Sequence, residues 1–573
     1  LLYKHTEENS WKSMRMESRH NDHWAASFRV EKLGRYQYTV RGWSDPFLTW
    51  QRDLVKRQAA GQDLTVDLQI GSELFGERIE DYESAMKLKA PLPAQESIVL
   101  YEKVLEVVVD PVRARFSSWY EMFPRSFGGL RGLVGMLPYV ESLGFNVLYL
   151  PPVHPIGTTA RKGRNNAVSA QPGDVGSPWA IGSKDGGHKA IEPSLGTFED
   201  FDSLVKEAKA RGIDVALDIA FQCSPDHPYV REHPEWFRAR PDGTIQYAEN
   251  PPKKYQDIYP FDFETEGWRE LWRELKSVFD FWIGQGVKIF RVDNPHTKPF
   301  PFWEWAITEI KKEHPDVLFL SEAFTRPKIM YRLAKLGFTQ SYNYFPWRNR
   351  RWELVEYFTE LTQTEVREFF RPNLWPNTPD ILTEPLQIGG RPAFVQRLML
   401  AATLGASYGL YGPAYELMEH VPRERGSEEY LDSEKYQLRQ WDLTRPDSLS
   451  ELIGLVNRIR RENPALQSDQ SLRFHTADNE QILCYSKAAG DNVIVVAVNL
   501  DPNYAQAAWV ELDLSALGLA PDQPFQVHDL LTGARYLWHG SRNFVRLDPH
   551  QVPAHIFRVR RRVRSERDFD YFI

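Results

Sequence analysis

Apolar residues repeat with two different periods along this chain, and the change of period divides it into regions. Residues 24–48 alternate between apolar and polar positions, which predicts half-buried antiparallel strands and places part of an N-terminal β-sandwich in residues 1–50. Residues 51–105 start with a charged helical pattern and then return to the sandwich. Residues 106–465 alternate short apolar runs with amphipathic stretches, and residues 466–573 consist of apolar runs separated by turn residues.

The apolar runs of residues 106–465 predict parallel strands. The clearest are 145–150, 213–218, 287–292 and 317–321, and a helix with one apolar face precedes the third of them. That face carries Trp268, Leu271, Trp272, Leu275, Phe279 and Trp282. Strands that alternate with helices over this length predict a (β/α)8 TIM barrel. The segment at about 219–260 is rich in Pro, His and Tyr and too long for an ordinary loop, so we predict an inserted subdomain there.

Cap and turn residues predict the end of the barrel and the start of a C-terminal domain. The last barrel helix is predicted to begin with a capping box from Ser448 to Glu451 and to end before Pro464. The runs 482–486, 492–500 and 554–559 then predict strands of an all-β C-terminal domain. The predicted fold class is therefore α/β: a TIM barrel with an N-terminal β-sandwich plus a helical segment and a C-terminal all-β domain.

Composition and charge exclude several classes of partner. A net charge of −8, from 70 basic and 78 acidic residues, gives no basic surface for nucleic acid. No apolar run reaches the ~18 residues of a membrane span, so we predict no membrane partner. The only cysteines, Cys223 and Cys484, provide no disulfide framework, which favours the reducing cytoplasm. The chain opens on LLYKHTEEN, without an initiator Met or a signal-peptide pattern, so we expect a trimmed N terminus.

Four acidic residues stand at the ends of apolar runs or in a following loop: Asp218, Asp293, Glu322 and Asp380. Each one alone fits a capped strand end with a surface ion pair. Four of them at the C-terminal rim of one barrel favour catalysis, because barrel enzymes hold their reactive groups at that rim. Two carboxylates about 5–5.5 Å apart support retaining glycosyl transfer, one as the nucleophile and the other as acid and then base.

The neighbours of two of these acids predict opposite protonation states. Arg291 has the same strand parity as Asp293, and an adjacent guanidinium favours the ionised carboxylate that a nucleophile needs. Glu322 precedes Ala323-Phe324, an apolar setting that raises the pKa of a carboxyl towards that of a general acid. The histidines of the barrel loops lack metal-ligand spacing, so we predict no metal and no cofactor; they are His154, His188, His227 and His296.

Longer motifs carry a resemblance to a known family. DIAFQCSPDH, FRVDN, FLSEAF and NTPD resemble the four ordered regions of the α-amylase superfamily, glycoside hydrolase family 13. Four further stretches are similar to the bacterial α-1,4-glucan:maltose-1-phosphate maltosyltransferases, and the likeness runs from about residue 1 to 560. These stretches are HPIGTTARKGRNN, GFTQSYNYFPWRN, TPDILTEPLQIGGRPAF and VPRERGSEEYLDSEKYQLRQWDL.

The resemblance implies a role for each matching residue. Asp293 matches the nucleophile, Glu322 the general acid/base, and Asp380 the acid that stabilises the transition state. The positions that match donor-binding residues are Lys162, Gln222, Asp257, Asn294, Lys435 and Tyr436, with Arg291, Asn250 and Tyr255 as further site-lining positions. It also implies maltose 1-phosphate as donor, an α-1,4-glucan or maltooligosaccharide as acceptor, a role in glycogen or α-glucan synthesis, and a homodimer paired through residues 1–105.

Departures from the superfamily pattern keep two alternatives open. Hydrolytic amylases usually have Asn-His where this chain has Gln222-Cys223, and His where it has Pro379, which favours transfer. An α-glucan hydrolase or isomerase using the same three acids is the nearest alternative, and a catalytically silent glucan-binding homologue is the other. The intact set of acids argues against the silent homologue. Asn343, Pro346 and residues 373–377 differ from the maltosyltransferase pattern, which leaves the acceptor preference open.

Overall fold

The computed structural model describes residues 1–89, 97–251, 253–551 and 553–560, without the side chains of Asn250 and Lys253. The chain divides into two compact units, Leu1–Val109 and Asp110–Ile573. Among the described residues of the first unit, there are one antiparallel sheet, two strand pairs and three helices. The sheet consists of Lys12–Ser13, Leu2–His5, Gly34–Thr39 and Leu105–Val109, the pairs are Glu17–Ser18 with Trp24–Ala25 and Arg41–Trp43 with Ile98–Leu100, and the helices are Pro46–Ala59, Thr65–Phe75 and Tyr82–Lys87.

The first helix begins inside the stretch 24–48 that the alternating pattern predicts as strand, so the prediction is wrong at its C-terminal end. Asp45 caps this helix by accepting the N–H of Leu48 at 3.0 Å, and Pro46 occupies the first helical position. A carboxylate cap followed by proline is a strong helix start. Phe47, buried inside the helix, accounts for the apolar position that suggested a strand.

Eight parallel strands form the barrel of the second unit. Six neighbouring pairs join strands that are consecutive in the chain, and a seventh pair joins the first strand to the eighth. A parallel bridge from Ser341 to Pro372, between strands six and seven, closes the cylinder. Strands one to eight are Ser117–Glu121, Val147–Leu150, Asp214–Ile219, Ile289–Asp293, Leu318–Glu322, Gln340–Ser341, Asn373–Leu374 and Ser407–Tyr411. All four strands predicted from apolar runs are confirmed, with ends shifted by one or two residues.

The helices of this unit pack apolar faces against the strands. They are Gly129–Ser142, Phe198–Ala210, Pro228–Glu232, Trp268–Gly284, Phe300–Glu313, Pro327–Lys335, Arg351–Gln363, Glu384–Ile388, Gly390–Leu404 and Ser450–Glu462. The helix Trp268–Gly284 buries four residues of its predicted apolar face, Leu271, Leu275, Phe279 and Trp282, whereas Trp268 and Trp272 of that face are only partly buried. No helix among the described residues is long and apolar enough to span a bilayer.

Strand parity decides which side chains fill the barrel and which reach the site. Alternate residues of a strand point to the same face. The interior-facing set includes Trp119, Tyr149, Ala216, Ile289, Leu320, Tyr342 and Trp375, which pack together as an apolar plug. Two residues further along their strands, with the same parity, come Glu121, Asp218 and Glu322. The plug therefore supports a ring of acids at the C-terminal rim.

The capping box predicted at Ser448 is wrong. The last barrel helix begins at Ser450, and no side chain caps it. Ser448 instead accepts the N–H of Ser450 at 3.2 Å and donates its own N–H to the carbonyl of Arg445, so it belongs to the preceding turn. The predicted end before Pro464 is confirmed, because the helix stops at Glu462.

Between the third and fourth strands, the segment at about 219–260 contains small elements of its own. Gln222–Cys223 pairs with Tyr259–Pro260, and Ala248–Asn250 pairs with Lys253–Tyr255. The C-terminal sheet is antiparallel throughout, and the three runs predicted as strands there are confirmed. Its strands are Arg473–Ala477, Ile482–Ala489, Asn492–Asn499, Gln506–Glu511, Phe525–Asp529, Arg535–Trp538, Arg542–Leu547 and Ala554–Arg560.

Candidate active site

Arg291 joins three acids at the C-terminal rim of the barrel. Its Nη1 donates to Asp293 Oδ1 at 2.7 Å and to Asp218 Oδ2 at 2.9 Å, while Nη2 lies 3.6 Å from Glu322 Oε1. The register explains the meeting, because Arg291 pairs with Asp218 on strand three and Asp293 pairs with Glu322 on strand five. Arg291 is only 6% exposed, so solvent weakens these interactions little.

Asp293 has the environment of an ionised nucleophile. Besides the Arg291 bond, its Oδ2 accepts the side-chain N–H of Asn294 at 3.1 Å. Burial alone would raise the pKa of Asp293, but the charges of Arg291 and Lys298 and the hydrogen bonds from Arg291 and Asn294 outweigh it and lower the pKa. The carboxylate is therefore charged at neutral pH.

Glu322 lies beside the same guanidinium but has the opposite protonation tendency. Burial raises the pKa of Glu322 to about 7; Arg291 opposes this shift, and the charge of Asp293 adds to it. Its Oε2 accepts the backbone N–H of Asn294 at 3.1 Å. Asn294 has a left-handed backbone with φ of 44°, which asparagine tolerates better than most residues, and this places its two N–H groups on the two acids. One residue thus contacts both catalytic candidates.

Asp380 forms an ion pair that the sequence does not predict. The Nζ of Lys435 contacts Asp380 Oδ1, and it also lies 5.2 Å from the ring centre of Trp179 and 5.8 Å from that of Tyr436. Burial would lower the pKa of Lys435, but the charge of Asp380 outweighs it and raises the pKa. Lys435 is therefore cationic, and it holds the third acid as well as lining the cleft.

The fourth acid, Asp218, is an anchor. Its Oδ2 accepts from Tyr149 at 2.7 Å, from Trp179 Nε1 at 3.2 Å and from Arg291. Burial raises the pKa of Asp218 to about 6, against the lowering effect of Arg291. Its contacts fix Arg291 from below, which makes it a positioning residue for the nucleophile.

A cleft of about 1260 Å³ opens above these acids and contains most of the predicted binding residues. Gln222 donates its side-chain N–H to the carbonyl of Trp179 at 3.0 Å, and Asp257 has a buried Oδ1 without a partner. Burial raises the pKa of Asp257, while Lys162 opposes the shift. The predicted residues that line the cleft are Lys162, Gln222, Tyr255, Asp257, Asp293, Asn294, Glu322, Asp380, Lys435 and Tyr436. Arg291 lies deeper, and the side chain of Asn250 lies outside the described residues.

The fold brings together three potential metal ligands that sequence spacing separates. Ligand atoms of His188, Cys223 and His227 lie within 4.8 Å of one another. A hydrogen-bond chain already uses the imidazole nitrogens: Tyr229 N–H to His227 Nδ1, His227 to His188 at 3.0 Å, and His188 to the carbonyl of Ala220. Burial lowers the pKa of His188 to about 4, which keeps that ring neutral. The cluster thus supports the loop that presents Gln222.

Sequence reasoning misses several residues around the cleft. Glu121 is the last residue of strand one and has the same strand parity as Ser117 and Trp119. This parity would have identified Glu121 as a residue that faces the site if the sequence pattern had revealed strand one. Trp179, Phe324 and Trp347 line the cleft from loops, where no periodic pattern distinguishes them. Lys298 also lines it and bonds the carbonyls of Asp293 and Asn294, at 3.4 and 3.2 Å.

Comparisons with known proteins identify the family of the chain. Residues 1–118 match the family described as "Alpha-1,4-glucan:maltose-1-phosphate maltosyltransferase, domain N/S", residues 114–273 the α-amylase catalytic domain, and residues 474–559 "GLGE, C-terminal". Among solved structures, a maltogenic α-amylase from Thermotoga neapolitana has a TM-score of 0.61 at 18% identity, covering 78% of this chain and 99% of its own. An α-amylase from Lactobacillus plantarum has a TM-score of 0.55 at 20% identity, over 78% and 100%. Identities this low show the fold alone.

Full-length relatives are much closer. The α-1,4-glucan:maltose-1-phosphate maltosyltransferase of Chlorobaculum tepidum is 51% identical over 98% of this chain and 90% of its own length. The enzymes of the same name from Methylacidiphilum infernorum and Myxococcus xanthus are 50% and 48% identical, over 98% and 99% of this chain and 89% and 91% of their own. The chain therefore belongs to the α-1,4-glucan:maltose-1-phosphate maltosyltransferase family.

Proposed function

We propose that this protein transfers maltosyl from α-maltose 1-phosphate to the nonreducing end of an α-1,4-glucan, with retention of configuration and release of phosphate, in glycogen or α-glucan synthesis. The observation that carries the proposal is the pair of carboxyls around Arg291. Asp293 is ionised and Glu322 has a pKa of about 7, the division of roles that a two-step displacement requires. The names of the close relatives supply the donor and the acceptor.

In the first step Asp293 attacks the anomeric carbon of the donor. The bond from this carbon to the phosphate oxygen breaks, a carboxylate ester to Asp293 forms, and inorganic phosphate leaves. Phosphate departs with little help from an acid, so protonated Glu322 mainly donates a hydrogen bond and can release its proton to the leaving group. The ion-paired carboxylate of Asp380 stabilises positive charge that develops on the sugar ring.

In the second step an acceptor hydroxyl replaces phosphate. Ionised Glu322 removes the proton from the 4-hydroxyl at the nonreducing end, the oxygen attacks the anomeric carbon, and the ester bond breaks. Asp293 is regenerated as a carboxylate beside Arg291. Two inversions give net retention. Water in place of the acceptor would give hydrolysis.

A comparison of donors tests the proposed function against hydrolysis. We expect a high kcat/KM for maltose 1-phosphate and a low one for starch, because Gln222, Asp257 and the two lysines Lys162 and Lys435 line the cleft as hydrogen-bonding and charged groups for a compact donor. Phosphate release and reducing-sugar release measure the two reactions. Starch cleavage as efficient as phosphate release would support the hydrolase instead.

The pKa of Glu322 predicts the alkaline limb of the pH profile. Glu322 is protonated below about pH 7, so the first step should slow as pH rises through that value, when a second negative charge forms beside the leaving group. Asp293, with its lowered pKa, stays ionised over this range, and loss of activity through its protonation is expected only in strong acid. Single-turnover release of fluoride from maltosyl fluoride, which has no titrating phosphate, measures this limb. Glu322→Gln should remove it, and a limb that persists near pH 7 in that variant would contradict the assignment.

Substitutions in the cleft should separate binding from catalysis. Gln222→Ala should raise the donor KM about tenfold, as expected for loss of a hydrogen bond to a charged or well-ordered group, with little change in kcat. Lys435→Ala should raise KM and also lower kcat, because Asp380 loses its ion-pair partner. Steady-state kinetics of phosphate release measure both, and Gln470→Ala, at an exposed loop position, is the matched control. Donor KM within twofold of wild type for both variants would refute this donor pocket.

We also propose a homodimer that pairs through the N-terminal unit. In the part of the chain that the structure describes, Leu105–Val109 is the last strand of its sheet, and Val107 and Val108 are 40% and 42% exposed. An apolar edge strand is a ready surface for pairing with a second copy about a two-fold axis. We expect light scattering to give a dimer at micromolar concentration and Val107→Lys to give a monomer. Val168→Lys, an exposed valine of the other unit, should stay dimeric. A monomeric wild type would refute the proposal.

We place the protein in the cytoplasm. Cys223 and Cys484 are free and buried, and burial raises the pKa of both thiols. Protonated, buried thiols do not need an oxidising compartment, which agrees with the location that the cysteine content predicts.

A further inference from the structure

A small inner chamber lies at the base of the cleft. Its volume is about 10 Å³, room for about one water molecule or one hydroxyl group but not for a sugar ring. It adjoins the cleft, because Trp179, Glu322, Phe324 and Asp380 line both. Its remaining walls are Glu121, Tyr149, Arg291, Tyr342, Thr378 and Pro379. A sugar in the cleft can therefore reach it with a single substituent.

Two wall residues have incomplete hydrogen bonding: Arg291, whose Nε has no partner although its Nη1 binds Asp218 and Asp293, and Glu121. Glu121 is 1% exposed, and its Oε2 is buried without a hydrogen-bond partner. Asp218, the comparable acid on strand three, also has a buried oxygen without a partner, Oδ1, but its Oδ2 receives three donors. A buried carboxyl oxygen without a partner is uncommon and requires a reason. The position of Glu121 at the end of strand one, with its Cα paired to Tyr149 and Tyr411, fixes it at the bottom of the site.

The surroundings of Glu121 favour its neutral form. Burial raises the pKa of Glu121 well above its usual range; Arg291 opposes the shift, and the charges of Asp218 and Asp380 add to it. A protonated carboxyl has one O–H donor in addition to its acceptor oxygens. It can thus donate to a sugar hydroxyl without bringing another negative charge next to Asp293.

We propose that Glu121 donates a hydrogen bond from its carboxyl group to one free hydroxyl of the glucosyl ring that is transferred, and so is a specificity-determining residue. The inference rests on the proposed function, because it takes maltose 1-phosphate as the donor. In that donor the phosphorylated ring carries phosphate at C1 and the second glucose at C4, so its free hydroxyls are those at C2, C3 and C6. One of these three occupies the chamber, and its contact with Glu121 strengthens binding of the reacting ring.

Deoxy donors test this contact directly. We would measure phosphate release by wild type, Glu121→Leu and Glu121→Gln with maltose 1-phosphate and with its 2-, 3- and 6-deoxy analogues at the phosphorylated ring. Glu121→Leu should lower kcat/KM for the parent donor by about tenfold or more, because the sugar hydroxyl is left buried and unpaired. Glu121→Gln, which is neutral and keeps an N–H donor, should restore most of the loss. With the one analogue that lacks the bound hydroxyl, wild type and Glu121→Leu should agree within about twofold.

Each other result overturns the inference. An equal loss in Glu121→Leu for all four donors, at an unchanged melting temperature, would assign Glu121 a purely structural role. A loss in Glu121→Gln as large as that in Glu121→Leu would show that an ionised carboxylate is required. With either of these two results, phosphate release by wild type would leave the proposed function intact. If wild type released no phosphate from maltose 1-phosphate, both the proposed function and the role of Glu121 would be overturned.

Discussion

Asp293→Ala should abolish turnover while the protein stays folded. Loss of the covalent nucleophile removes the two-step route, and we expect kcat for phosphate release to fall by at least about 10⁴-fold. The fold should survive, because Arg291 keeps its 2.9 Å bond to Asp218 and the buried guanidinium therefore keeps a charged partner. Phosphate release and the melting temperature measure the two effects.

Asp316→Ala is the matched control for this variant. Asp316 lies just before strand five, near the opposite end of the barrel, and its 43% exposed side chain pairs with Lys288 at 3.3 Å. Exposed pairs of this kind contribute at most about 1 kcal/mol, so activity and stability should match wild type. Near-normal phosphate release by Asp293→Ala would show that another group is the nucleophile.

Glu322→Ala should accumulate the covalent intermediate. With maltosyl fluoride the leaving group needs little protonation, so Asp293 can still form the ester. No carboxylate then activates the acceptor, and the ester should persist. Intact-protein mass spectrometry should find a mass increase of one maltosyl unit, located by peptide mapping on Asp293.

The double variant Asp293→Ala/Glu322→Ala is the control for the trapped species and should show no adduct. An adduct on any residue other than Asp293 would contradict the assignment of roles. A parallel reaction with wild type gives the time needed to consume all of the maltosyl fluoride. A Glu322→Ala protein that carries no adduct after that time would also contradict the assignment of roles.

Local patterns predict the barrel and the carboxyls of its rim because both depend on strand periodicity. Asp218, Asp293 and Glu322 come at the ends of apolar runs, and parallel strands bring such ends to one edge. The parity of Arg291 and Asp293 predicts their ion pair, which forms at 2.7 Å. The apolar setting of Glu322 predicts the direction of its pKa shift, which burial confirms. The substrate-binding roles of the cleft residues remain predictions from the family resemblance.

Contacts between loops lie beyond such patterns. Lys435 meets Asp380 across 55 residues of sequence, and His188 meets Cys223 and His227 only after the loops have folded. Neither contact has a period or a fixed spacing. The start of the last barrel helix is missed for a related reason: Ser448 bonds within the preceding turn, and a Ser-x-x-Glu pattern does not distinguish that turn from a cap.

Glu121 shows how one unrecognised strand hides a site residue. Strand one is only five residues long, Ser117–Glu121, and all of them are buried, so it lacks the polar alternation of an amphipathic strand. A fully buried strand resembles other buried segments in sequence. The alternation of side chains along strand one shows which residues face the barrel interior only when the neighbouring strands define that interior.

Maltosyl transfer from α-maltose 1-phosphate to an α-1,4-glucan is the central claim, and one incubation tests it most directly. The protein is mixed with α-maltose 1-phosphate and maltohexaose, and the products are separated by length while phosphate is measured. We expect maltooligosaccharides longer by two, four and six glucose units, with one phosphate released for each two-unit step. Products that differ by single glucose units, or free maltose with no chain extension, would contradict the claim.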